Sequence, residues 1–209
     1  MVSRKKGSLV LALSSLTILA IALIEGVVLV PVYLNFIGTS LYGAWLATGT
    51  LVTYMGLLHF GVNAVIIQKI SYAVGRNDKV LIDRYVTNGL AIGLFFAIFP
   101  ALLAILVSGV LGSIVDLGRE DLDTLRTAFL LAGLGASFSL GMYAVGGVLV
   151  ALQKQTIYAP IQVTCTLLGL LVTIISLFGG MGLLSIPLGV ITRTLSCMLI
   201  VSLVIFAIN

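Results

Sequence analysis

Two ionisable residues sit deep inside apolar stretches, where a charge is costly and therefore needs a purpose. Glu25 interrupts ALIEGVVLVPVYL (22–34), and Arg193 ends FGGMGLLSIPLGVITR (178–193). An arginine sheltered from water suits a phosphate or diphosphate, because its planar fork stays charged and donates to phosphate oxygens in pairs. A nearby carboxylate has two chemical uses. It holds the guanidinium while no anion is bound, or it takes up a proton or sodium ion. A structural ion pair between helices, or separate hydrogen bonds to polar neighbours, would put the same residues in the same places.

A second polar group follows in the first half of the chain. His59 and Asn63 stand four residues apart and share a helix face, with Gln68 and Lys69 beyond them. His59 is of the type that can exchange protons near neutral pH and could couple to ions, or it is a packing residue beside Gly61. Asn63, Gln68 and Lys69 form a polar stripe descending to a basic helix end. Such a stripe could receive a charged headgroup, or it is simply an interfacial end anchored by lysine. Asn88, Gln162 and Thr164 could line a cavity or hydrogen-bond between helices.

The elements that must position these residues are helices in lipid. The 209-residue chain is 60% hydrophobic and only 9% charged, against roughly 25% charged in soluble domains, and its mean hydropathy is +1.26. Apolar runs fall at about 8–34, 41–69, 85–112, 125–152, 157–178 and 182–207, several exceeding the ~18 residues that suggest a membrane span. Backbone groups in hydrocarbon must be satisfied within each segment, and a barrel would show ten-residue alternation instead. The expected fold is all-α, a polytopic membrane protein forming a single six-helix lobe over 1–209. The N-terminal run imitates a signal peptide, with a basic start and an Ala20-Ile21-Ala22 triplet, but it is too long for a signal peptide's apolar core. We read it as a retained first helix, with cleavage as the alternative.

Basic residues set the orientation. Arg4, Lys5, Lys6, Lys69, Arg76, Lys79, Arg84 and Lys154 fall on one side with both termini, which makes that side the cytoplasm. Arg119 and Arg126 fall on the other, among Asp116, Glu120, Asp121 and Asp123. On this layout Glu25 lies roughly 12 Å and Arg193 roughly 16 Å below the outer face. The two depths match, so the pair is expected to face a common cavity. Gly89 and Gly93 form a GxxxG, a cue for close helix packing.

The run PVYLNFIG (31–38), YGAW (42–45), LHFG (58–61) and QKISY (68–72) resembles the start of the polysaccharide-biosynthesis flippases. These are the O-antigen and lipid-linked oligosaccharide exporters of the multidrug/oligosaccharidyl-lipid/polysaccharide exporter superfamily. ALQKQTIYAPIQV (151–163) and FGGMGLLSIPLGVITR resemble that family's entry to its fifth helix and the glycine turn into its sixth. The resemblance implies two six-helix bundles facing each other across a cavity. It also implies movement of a polyprenyl-diphosphate-linked glycan to the outer leaflet of the plasma membrane. The chain departs from the family pattern at His59 and Phe60, where an acidic or small residue is common. Six spans amount to one lobe, and substrate sites of such transporters lie between repeats. The chain is therefore expected to be part of a longer product, or to pair with a separate chain or with itself.

Other classes find little support in the residues. Basic stripes with interleaved aromatics are absent, so nucleic acid is not an expected partner. No catalytic constellation, metal motif, cofactor motif or phosphate-cradling glycine loop occurs, and the expectation is a non-enzymatic carrier. Cys165 and Cys197 lie in apolar runs at a spacing that fits no zinc or redox motif, as small buried hydrophobes do. The cluster Glu120, Asp121 and Asp123 reads as acids favoured at a helix N-terminus. Two alternatives to the flippase stay open: a cation-coupled multidrug exporter using Glu25, and an inactive membrane scaffold for glycan-assembly enzymes.

Overall fold

The computed structural model describes residues 4–56 and 59–208, with the side chains of 4–6, 8, 53, 55–60, 62 and 208 outside the description. The described residues are helical almost throughout and contain no strand. The helices are α1 (Arg4–Ile37), α2 (Thr39–Gly56), α3 (His59–Gly75), α4 (Lys79–Ile114), α5 (Arg119–Ala151), α6 (Gln155–Ser176) and α7 (Ser185–Ile208). A π-helical turn (Leu177–Met181) and a short 3-10 turn (Gly182–Leu184) link the last two.

The turns follow local chemistry. Gly38 alone separates α1 from α2, at φ +86°, a conformation that favours glycine. Gly180 and Gly182, also at positive φ, reverse the chain between α6 and α7. Between α3 and α4, Asn77 adopts φ +55° and Asp78 caps the next helix, its Oδ1 accepting from the Leu81 N–H at 3.0 Å. The Asn77–Asp78 turn lies outside the apolar runs, so α3 and α4 extend several residues past the expected spans into polar sequence, and α1 and α5 likewise begin in polar sequence. The expected second span, 41–69, is described as two helices, α2 and α3, on either side of Leu57 and Leu58.

Four helical stretches among the described residues are long and apolar enough to cross a bilayer: Leu9–Ile37, Lys79–Ile114, Arg119–Ala151 and Gln155–Ala207. The last of these contains both α6 and α7. Three prolines, Pro31, Pro100 and Pro160, lie inside helices, a habit more frequent in membrane helices than in soluble ones.

Packing centres on α5, which touches α2, α3, α4, α6 and α7. Small residues let its neighbours approach. A methyl group on Gly133 would strike Ala104 of α4, and one on Gly93 of α4 would strike Ala144 of α5. These two contacts define an antiparallel α4–α5 pair. Gly135 lies against Val190 and Gly141 against Met198, so α7 runs parallel to α5. Gly89, the other half of the GxxxG, packs on Ile66 of α3. The α3–α4 turn and the α5–α6 turn therefore share one end of the bundle. The start of α1 joins them there, since Gly7 lies against Gln155.

Candidate functional site

Helices α6 and α7 run antiparallel and meet at every fourth residue. Cys165 faces Cys197, Gly169 faces Arg193, and Thr173 faces Gly189. This stripe of small residues brings the backbones together. A methyl group on Gly169 would lie 2.7 Å from the Arg193 Cβ and 2.7 Å from the Gly189 carbonyl oxygen. Gly169 thus fixes where the Arg193 stem leaves α7. Thr173 removes its own polar cost by donating to the Gly169 carbonyl at 3.1 Å.

From that point the half-buried Arg193 side chain reaches the wall of a small cavity bounded by α1, α5, α6 and α7. The cavity volume is about 80 Å³, enough to hold ordered water. Tyr143, Gln162 and Thr166 supply further polar wall, while Ile18 closes the α1 side. Gln162 Nε2 donates to Tyr158 Oη at 2.9 Å, and Thr166 Oγ1 donates to the Gln162 carbonyl at 2.8 Å. Both side chains are thereby held rather than left to swing.

Glu25 lies two turns beyond Ile18 on α1 and interacts electrostatically with Arg193. It does not line the cavity, and the two do not close into an ion pair. The ion pair found among the described residues is Arg126–Asp123, 3.3 Å apart at the exposed start of α5. A guanidinium biased by a carboxylate but not clasped by it keeps donors available to an incoming anion.

Comparison with family profiles, curated proteins and solved structures finds no match. The chemistry of the site therefore rests on its own geometry.

The structure does not gather the polar stripe of α3. Asn63 presses on Gly147 of α5, and its buried Oδ1 has no hydrogen-bond partner. Gln68 is exposed, and Lys69 lines a separate groove between α3 and α4 together with Asn88. At 100° per residue, positions 63 and 69 point to different sides of one helix, so the spacing itself separates them. The side chain of His59 lies outside the described residues. Thr164 is exposed and bonds back to the Pro160 carbonyl at 3.0 Å. Glu120 and Asp121 occupy the first turn of α5. Among the described residues, no three of His, Cys, Asp and Glu gather as a metal site.

Several residues that shape the site escaped the sequence reading: Gly169, Tyr143 and Thr166. Cys165 and Cys197 were expected as small buried hydrophobes and are buried, but their meeting across α6 and α7 was not foreseen. One available signal was the four-residue repeat of small side chains at 165, 169 and 173, opposite 189, 193 and 197.

Proposed function

We propose that this chain is a membrane-embedded transport lobe that handles a polyprenyl-diphosphate-linked oligosaccharide, carrying it from the cytoplasmic to the outer leaflet of the plasma membrane. The long apolar helices support membrane placement. With about 20 residues needed per crossing, the Gln155–Ala207 stretch supplies two crossings joined by its glycine turn. Taking α2 and α3 together as one crossing gives six in all, with the basic turns on the cytoplasmic side.

The observation that carries the substrate class is Arg193: half-buried, on a cavity wall, and in no ion pair. A sheltered, charged fork recognises phosphoryl oxygens better than a neutral drug or a sugar hydroxyl. The cavity's volume admits one phosphoryl group, leaving the rest of the headgroup outside. The glycan would lie toward a second lobe, whether a partner chain, another copy or further sequence of the same product. Glu25 biases the guanidinium electrostatically without pairing with it.

Calorimetric titration of the purified chain in detergent with a short-chain polyprenyl diphosphate tests this reading. Loss of a charge-assisted contact is worth about 1.5–3 kcal/mol, so Arg193→Ala should weaken binding at least about tenfold. Arg193→Lys, which keeps charge but loses the fork, should fall between. Equal affinity in all three proteins would refute the diphosphate assignment.

A further inference from the structure

A second cavity shares no residue with the one beside Arg193, and its shape is that of an amphiphile. It is a groove of about 410 Å³ between α3 and α4. Val65 and Ile66 form one wall, Ile92 and Phe96 the other, and Gly61 and Gly89 contribute no side chain to fill it. Val65, Ile92 and Phe96 are exposed. The groove is therefore an open apolar trough rather than an internal void.

Its polarity is graded along the helices. The Gly89–Ile66 contact sets the antiparallel register of α3 and α4. In that register Lys69 and Tyr85 stand together at one end, and Gly61 and Phe96 at the other. The eight residues from 61 to 69 span about 12 Å at 1.5 Å per residue, comparable to a good part of an acyl chain. Asn88 lies one position from Gly89, near the Lys69 end.

The Lys69 end is also the end of the basic α3–α4 turn. Arg76, Lys79 and Arg84 lie there, with Arg76 over the Tyr72 ring at 5.0 Å from its centroid. Asp78 and Asp83 share the region, and Asp78 is committed to capping α4. Cations outnumber acids at this end. An occupant must therefore be apolar along its length and anionic at one tip, in the orientation that a cytoplasmic-leaflet lipid would have.

We propose that the α3–α4 groove is a binding site for an anionic phospholipid, one acyl chain lying along Val65, Ile92 and Phe96 and the phosphate at Lys69, Tyr85 and Asn88. This site rests on the membrane placement argued above but not on the diphosphate assignment. It uses no residue of the Arg193 cavity.

Native mass spectrometry of the full chain released from detergent tests it, with a phosphatidylglycerol and a phosphatidylcholine of identical chains as probes. Phosphatidylglycerol should be retained preferentially. A basic residue near an anionic membrane surface changes binding by about fivefold, so Lys69→Ala should reduce retention by about that factor. Ile92→Trp, which fills the trough from an exposed position, should reduce retention of both lipids. Unchanged phosphatidylglycerol retention in both groove variants, or equal retention of the two lipids by the unaltered chain, would overturn the site. Full competition by glycerol phosphate would also overturn it, because it would show an anion site with no acyl seat. Failure of the Arg193 variants in the calorimetric titration bears on the diphosphate alone, whereas recovery of the chain in the soluble fraction of cells would overturn the membrane placement and this site with it.

Discussion

Helices α1 and α5 are nearly equal in length and both apolar, yet they occupy opposite positions in the molecule. Only 6% of the apolar window of α1 is buried, against 61% for α5. Large side chains dominate the exposed faces of α1, including Leu9, Leu13, Leu16, Leu19 and Leu23. Along α5 the buried positions are mostly Gly and Ala, with Gly133, Gly146 and Gly147 each in contact that leaves no room for a methyl group. Apolarity alone does not separate a helix facing lipid from one facing other helices, since lipid tails are as apolar as leucine. Side-chain size does. Close backbone approach needs small residues, and a surface facing disordered chains does not.

The sharpest way to break this contrast is to add the same bulk to both helices. Gly146 lies against the Tyr158 ring, whereas Gly26 of α1 has open space around it. Gly146→Leu should cost about 3 kcal/mol or more through overpacking, seen as lost folded yield or a large drop in melting temperature in detergent. Gly26→Leu should leave the melting temperature unchanged or slightly raised, since leucine is the better helix former. Comparable damage from both would mean that α1 is not an outer helix.

Gly169→Val probes the same principle where packing meets chemistry. The added side chain must displace the Arg193 stem or separate α6 from α7. We expect about 1–3 kcal/mol of destabilisation together with loss of polyprenyl diphosphate binding in calorimetric titration. Retained affinity would show that the position of the arginine is not set by this glycine.

A smaller effect is expected on α1 itself. Glu25→Gln removes a nearby negative charge that opposes a bound anion beside Arg193 and should tighten diphosphate binding by about fivefold. Abolished binding would favour instead a role for Glu25 in coupling to a cation, as a multidrug exporter would need. The smallest change should come at Asn63. Its Oδ1 is already buried without a partner, so Asn63→Ala should shift stability by no more than about 1 kcal/mol in either direction, measured by thermal unfolding. A large loss would point to a contact that Asn63 makes in the working protein.

Part of this comparison was legible before any coordinates. The short interruptions at 35–40, 153–155 and 178–182 marked helix ends, because glycine and short polar runs stop apolar helices for local reasons. Glu25 and Arg193 stood out for the same kind of reason, a charge inside an apolar run being rare whatever surrounds it. The helix ends were harder to read, since α3 continues to Gly75 and α4 begins at Lys79. Polar residues extend a helix as readily as apolar ones while the caps lie further out. The stripe Asn63, Gln68 and Lys69 was read as one feature and is distributed over different faces of α3.

The sequence by itself determined the helical class, the approximate runs, the turns and the two internal charges, all of which depend on neighbours along the chain. Tertiary structure alone decided that α5 is central, that Cys165 meets Cys197, that Gly169 seats Arg193, and that Lys69 stands at the polar end of a groove. Those facts depend on which faces of different helices come together. Where every face is apolar, the hydrophobic pattern carries little information about partner choice, and the close fit of small residues settles it.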